Sequence, residues 1–297
     1  MIGLRNLLLL IWLFAAQAIA APPTAEVLRI GSDLNALRDV SRSDVEASLK
    51  VWANEMMKVL DVPAEVHFYS NVDEMRRDLK AGKINFVISD GVSLLRNFDP
   101  DELTDGFGGG GLDEDNMVLL ARKNSGIRSE HDLRGKRVVL LSENDISDLI
   151  LETTCLHQFH TTCAQSGVIV SREMRSRQQV LQLFFGKVDA ALVRGYGYDL
   201  AAELNPQIRD QLVVIKRIHI YPSALGLFST GVSQPFRDYV IGKAPLMQDY
   251  PRGRQILDVM QTSRVVRYPK TILDPIRDLI SEHDELSRRY LKRTAAK

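Results

Sequence analysis

The sequence predicts an α/β protein of two lobes, each a mixed, mostly parallel sheet flanked by helices, with two crossings between them. Three observations carry this. Short apolar runs alternate with longer segments whose apolar residues keep helical spacing; the alternation breaks at a glycine-rich stretch and restarts; a mostly helical set closes the chain. Without its first twenty residues the 297-residue chain is still long enough for two lobes that each bury a core.

The amino end reads as an export signal. Arg5 supplies a positive start, Leu7 to Phe14 an apolar run, and Ala18-Ile19-Ala20 a cleavage site ahead of Ala21 and Pro22-Pro23. A membrane-spanning helix needs roughly twenty apolar residues. Residues 1–20 are therefore expected to be cleaved and the mature chain to be periplasmic, an uncleaved anchor being the alternative. Lys and Arg total 38 and Asp and Glu also 38, so no global field favours nucleic acid or an anionic membrane. Cys155 and Cys163 can close a short disulfide loop in an oxidising compartment. The alternative is a metal site with His157 and His160, but the spacing fits no familiar zinc pattern. No metal or cofactor is expected.

Val27 to Ile30 begins the first strand, which ends at Gly31-Ser32-Asp33. Ser43 and Glu46 form a capping box, and Val45, Leu49, Trp52, Met56 and Leu60 line one helix face. Val66 to Phe68 is a strand; Ser70 is expected to cap the next helix, with Met75 and Leu79 inward and Gly82 at its end. Ile84 to Ile88, nearly all apolar, reads as a strand covered on both faces. Gly106 to Gly111 lacks the Lys-Ser/Thr of a phosphate loop and is expected to be a mobile loop at a lobe crossing. The pattern restarts at the strand Met117 to Ala121. A short capped helix at Ser129–Asp132, the strand Val138 to Leu141, a helix through Leu149, Ile150 and Cys155, and the strand Val168 to Val170 follow. Next come a helix through Val180, Leu183 and Phe184 closed by Gly186, the strand Val188 to Val193, and strand-like segments at Val213 to Ile215 and Tyr221 to Phe228. The remainder reads as helical through Ile256 and Val259, then Ile272 to Leu286.

Open α/β sheets bind ligands beyond the carboxyl ends of their strands, and the residues expected there are polar. The first lobe offers Ser32, Asp33, Tyr69, Ser70, Ser89 and Asp90. The second offers Ser142, Asn144 and Ser147 at a helix start, with Arg194 and Tyr196 after a strand; Tyr221 lies at the return crossing. Helix starts near Ser70 and Ser147 favour an anion, although Ser, Asp and Asn there also serve as plain caps. Arg194 can hold an anionic group in bidentate fashion or bridge to an acidic neighbour. The tyrosines can contact a ligand or pack as edge aromatics. No G-x-S-x-G elbow or H-E-x-x-H motif is present, so no enzyme is indicated.

Four passages carry a family resemblance: Tyr69-Ser70-Asn71-Val72 through Phe86; Met117 to Val138 with its Asp132-Leu133-Arg134-Gly135-Lys136; Gly186-Lys187-Val188-Asp189-Ala190-Ala191; and Ile220-Tyr221-Pro222. Together they resemble the PhnD-like substrate-binding proteins of phosphate, phosphite and phosphonate transporters, within the type II periplasmic-binding-protein fold. The resemblance implies lobe one at 26–115, lobe two at 116–218 and a return to lobe one with C-terminal helices at 219–297. It also implies a monomer that captures a small polar, anionic ligand and delivers it to an inner-membrane ABC permease; a sensing partner of a receptor or sensor kinase is the alternative. Three departures bear on the ligand. The family's ser-thr-ser-gly helix start reads Ser142-Glu143-Asn144-Asp145-Ile146-Ser147-Asp148 here, Ser176 stands where a histidine often opens the next helix, and the acidic residue after the gly-x-val-asp-ala strand is replaced near Tyr196. Asn85 takes the place of a usual Asp.

Overall fold

The computed structural model describes residues 26–36, 42–110, 116–142, 145–173, 175–220, 224–259, 262 and 264–291. The leader and its alternative anchor lie outside them; among the described residues no helix is long and apolar enough to cross a membrane.

Lobe one begins with strand β1 (Leu28–Asp33), helix α1 (Arg42–Leu60), β2 (Ala64–Tyr69), α2 (Val72–Lys80), β3 (Phe86–Ser89), α3 (Gly91–Asn97) and β4 (Leu103–Gly109). The chain then crosses to lobe two: β5 (Met117–Arg122), a 3-10 turn at Glu130–Leu133, β6 (Arg137–Leu141), α4 (Asp145–Phe159), β7 (Ile169–Glu173), α5 (Ser176–Phe184), β8 (Ala190–Arg194), α6 (Gly195–Leu204), α7 (Pro206–Gln211) and β9 (Leu212–Ile218). It returns through β10 (Leu225–Ser229), α8 (Gln234–Lys243), α9 (Pro251–Val259), β11 (Val265–Tyr268) and α10 (Asp274–Tyr290).

Six strands form one sheet in the order β11-β4-β10-β3-β1-β2, and five form the other in the order β7-β6-β8-β5-β9. Both are mixed. In the first, β1, β2, β3 and β4 run one way and β10 and β11 the other. In the second, only β5 opposes the rest. The first strand after each crossing, β5 or β10, inserts antiparallel within the sheet it joins. Neither sheet can be completed without a strand that follows a crossing.

Elements form where apolar spacing and local capping agree. Leu49, Trp52, Met56 and Leu60 are all buried on α1, while the Val45 side chain lies outside the described residues. Helix α1 is assigned from Arg42, so Ser43 sits inside the first turn instead of before it. Helix α2 is capped by Asn71, whose side chain accepts from the Asp73 and Glu74 N–H groups, and not by the expected Ser70. One position's shift suffices because Asn71 has the extended backbone that a capping residue needs. Gly82 and Gly186 close their helices with positive φ as expected. The Ser129–Asp132 capping box is present.

The glycine-rich stretch corrects the sequence reading most. Residues 106–109 are not a mobile loop but the second half of β4, paired with β11 throughout and with β10 at Gly106 and Phe107; residues 111–115 lie outside the described set. The physical cause is crowding. A Cβ on Gly106 would lie 1.9 Å from the Gly226 carbonyl oxygen, and one on Gly108 would meet the Tyr268 ring at 2.7 Å. Glycine here admits a close neighbour, and the Tyr268 hydroxyl donates to Gly109 O at 2.9 Å. The short strand β11, absent from the sequence reading, supplies that tyrosine.

Lobe one buries an aromatic cluster against α1, with Phe86 stacked on Phe107 at 4.7 Å and edge-on to Phe228 at 4.7 Å. A second cluster runs from Met75 and Val87 in lobe one through Ile276 to Leu140 and Leu149 in lobe two. The lobes therefore share apolar contact beside their crossings. Cys155 and Cys163 are joined as a disulfide with Cα atoms 5.2 Å apart, tying the end of α4 to the loop before β7.

Candidate functional site

In lobe one the adjacent strands β3, β1 and β2 run parallel and end on the same edge. Helices α2 and α3 start from β2 and β3 there. Between them lies a cleft of about 340 Å³ lined by Asp33, Asn35, Asn71, Val72, Asp73, Asp90, Ser93 and Asn97. The lining holds three carboxylates and no basic residue, so this cleft is rich in hydrogen-bond acceptors.

Asp33 is the buried centre of that wall. Its carboxylate accepts from the Ser89 hydroxyl at 2.8 Å and the Asn35 N–H at 2.9 Å. Asp90 caps α3 by accepting the Ser93 N–H at 2.9 Å, so its role as a cap and its place in the lining coexist. Ser32 and Asp33 lie within β1, and Ser89 within β3, rather than in loops. Ser32 is fully buried, and its hydroxyl has no hydrogen-bond partner among the described residues.

Tyr69 and Ser70 do not line the cleft. The buried Tyr69 hydroxyl donates to Asp78 at 2.9 Å. Burial first, then that carboxylate, pushes the phenol well above its usual range. Asp78 is held low by the Lys83 ammonium and by the same tyrosine. Tyr69 thus fastens β2 to α2. Ser70 is exposed and offers its backbone carbonyl to Asn35.

In lobe two β7, β6 and β8 are parallel neighbours, so α5, α4 and α6 all begin at one sheet edge. Ser147 is fully buried in the first turn of α4, and Ser142 is half-buried after β6 with its N–H on Glu173 O at 2.8 Å. Arg194 is half-buried at the start of α6, and Tyr196 follows, 53% exposed. Asn144 and Tyr221 lie outside the described residues. Gly195 packs so closely on Asn116 that a Cβ would meet its amide oxygen at 2.2 Å, and Arg217 donates to that oxygen at 2.6 Å. The exit of the first crossing is thereby pinned to the start of α6.

Ser176 is absent from the residues proposed by sequence. It opens α5 beside Gly197, whose added Cβ would stand 2.5 Å from the Ser176 Cβ. The Ser176 hydroxyl is buried without a partner among the described residues, as is Oε1 of Gln179 one turn later. A buried hydroxyl left unpaired costs about 1–3 kcal/mol, and a helix start carries free N–H donors. The sequence signal was its place where the family it resembles often has a histidine opening the helix; its burial was not readable.

The family model for periplasmic substrate-binding proteins of phosphonate ABC transporters matches residues 36–269. Among solved structures, PhnD1 from Prochlorococcus marinus in complex with methylphosphonate aligns at 16% identity and TM-score 0.60, covering 89% of this chain and 97% of that one. A binding-protein component of a phosphonate ABC transporter from Pseudomonas aeruginosa aligns at 13% and 0.60, covering 88% and 87%. A Xanthomonas citri protein bound to chloride aligns at 14% and 0.62, covering 89% and 99%. At these identities the likeness is one of fold, the two-lobed type II arrangement. A search among curated proteins finds no match.

Proposed function

The chain belongs to the family of periplasmic substrate-binding proteins of phosphonate ABC transporters, and on that premise we propose which ligand groups it holds and with which residues. The ligand sits between the lobes and leaves chemically unchanged. Its anionic group meets the α5 start and Arg194 in lobe two, while its hydrogen-bond-donating remainder meets Asp33 and Asp90 in lobe one. The observation that carries this is the Ser176 hydroxyl at the α5 start, buried with no hydrogen-bond partner among the described residues. Buried polar groups are nearly always paired, and a bound oxyanion would supply the missing acceptor. Ser142, Ser147 and Tyr196 complete the lobe-two side, with Ser89 behind Asp33.

Further parts of the reading concern boundaries and setting. Lobe one comprises 26–115 and the return at 219–297, and lobe two 116–218. The mature protein, cleaved after Ala20, acts as a periplasmic monomer. Lobe closure on the ligand would present a changed surface to the permease.

A thermal-shift panel of methylphosphonate, inorganic phosphate, alkylsulfonates, carboxylates and amino acids tests it on the purified mature protein. A true ligand at a hundred times its Kd adds about 2.7 kcal/mol of stability. A folded protein that no oxyanion stabilises would remove the proposal.

A further inference from the structure

Helix α10 follows the return to lobe one in sequence, yet it lies along α4 of lobe two. Its 17 residues span roughly 25 Å. Near its start Ile276, 1% exposed, rests on Gly91: a Cβ there would stand 2.2 Å from Ile276 Cδ1 and 3.3 Å from Leu273 Cδ2. Gly91 opens α3 directly after Asp90, and α3 carries Ser93 and Asn97, so this contact backs one wall of the lobe-one cleft. Farther along, Glu282 Oε1 lies 2.6 Å from His157 Nε2, and the Tyr290 ring stacks on His160 at 4.3 Å. Both histidines sit between the cysteines of the disulfide. His160 has a φ of 57°, a strained conformation for a non-glycine residue that its surroundings must hold.

We propose that α10 is an interlobe strap and that Ile276 is a positioning residue for the ligand cleft. Packed contacts rearrange in discrete steps and do not stretch continuously. A displacement of α4 therefore moves α10, and Ile276 passes it to the Asp90–Ser93 turn. The docking seat on lobe two is the disulfide-closed loop, which fixes His157 and His160 relative to α4. The influence on binding rests on the reading of the cleft as the ligand site; the coupling itself does not.

Hydrogen–deuterium exchange on the full-length mature protein without ligand tests the coupling. Gly91→Ala should wedge Ile276 away and make residues 155–160 and 282–290 exchange about three- to tenfold faster. Adding Ile276→Val deletes the clashing Cδ1, so the double variant should return those segments toward wild-type rates. From the other end, Glu282→Gln with Tyr290→Ala, at an exposed and a half-buried position, should speed exchange in residues 91–95 and serves if Gly91→Ala fails to fold. The strap is refuted if either perturbation stays confined to its own end, or if Ile276→Val restores nothing. If exchange is coupled but these variants leave methylphosphonate and phosphate titrations unchanged, the strap stands and the cleft is not the ligand site.

Discussion

Ser176 allows the sharpest residue-scale prediction, because binding and stability should separate there. Its hydroxyl is buried with no partner among the described residues, so Ser176→Ala should leave the melting temperature of the free protein unchanged or slightly raised. The same change should weaken oxyanion binding about tenfold, the loss of roughly 1.4 kcal/mol from one hydrogen bond to a charged group. Calorimetric titration beside a melting curve checks both; a melting temperature that falls with affinity intact assigns the hydroxyl to structure. Asn85 illustrates the opposite case. The family's usual Asp is replaced by an amide that uses both ends, accepting the Arg29 N–H and donating to Val27 O, each at 2.8 Å. A carboxylate cannot make that second bond at neutral pH. The substitution is visible in the sequence, but its reason depends on which backbone groups flank it.

At the scale of elements, β4 shows why some of the fold was legible and some was not. Helices with steady apolar spacing, such as α1 and α2, were readable because one buried face imposes a period. Gly106 to Gly109 carried no such mark, since glycine serves a flexible loop and a crowded strand equally well. Gly106→Ala distinguishes them: a methyl 1.9 Å from Gly226 O should destabilise the protein by about 2–4 kcal/mol, read as a lower urea midpoint. A mobile loop would tolerate the change. The join between α2 and β4 predicts a pH effect. Burial opposes ionisation of Glu102, but hydrogen bonds from Arg76, Lys80 and the Asp99 N–H outweigh it and hold the carboxyl at about 2. The folded value lies below the unfolded value, so this stabilisation is complete above about pH 4.5 and is lost as pH falls toward 2. Glu102→Gln should flatten that part of the stability profile, removing on the order of 2–3 kcal/mol of pH-dependent stability. An unchanged slope between pH 4.5 and 2 would remove Glu102 from the account.

For the whole molecule, the two sheets, the exchange of strands at each crossing and the family match describe one architecture. The alternation of strands and helices was enough to indicate two lobes. The polar strand ends indicated a cleft edge, and Asp33 and Asp90 do line it. Tyr69 looked equally suitable but is engaged by Asp78, a partner that only folding brings near. Position β11 and the strap of α10 across α4 depend on contacts far apart in sequence, which periodicity cannot express. Capture between lobes entails closure, and small-angle X-ray scattering of the mature protein reads closure. The measurement compares the radius of gyration without ligand and at saturation with whichever oxyanion stabilises the fold. Contraction on binding is expected, with its midpoint moved to about tenfold higher ligand in Ser176→Ala. Saturated binding with no contraction would contradict it.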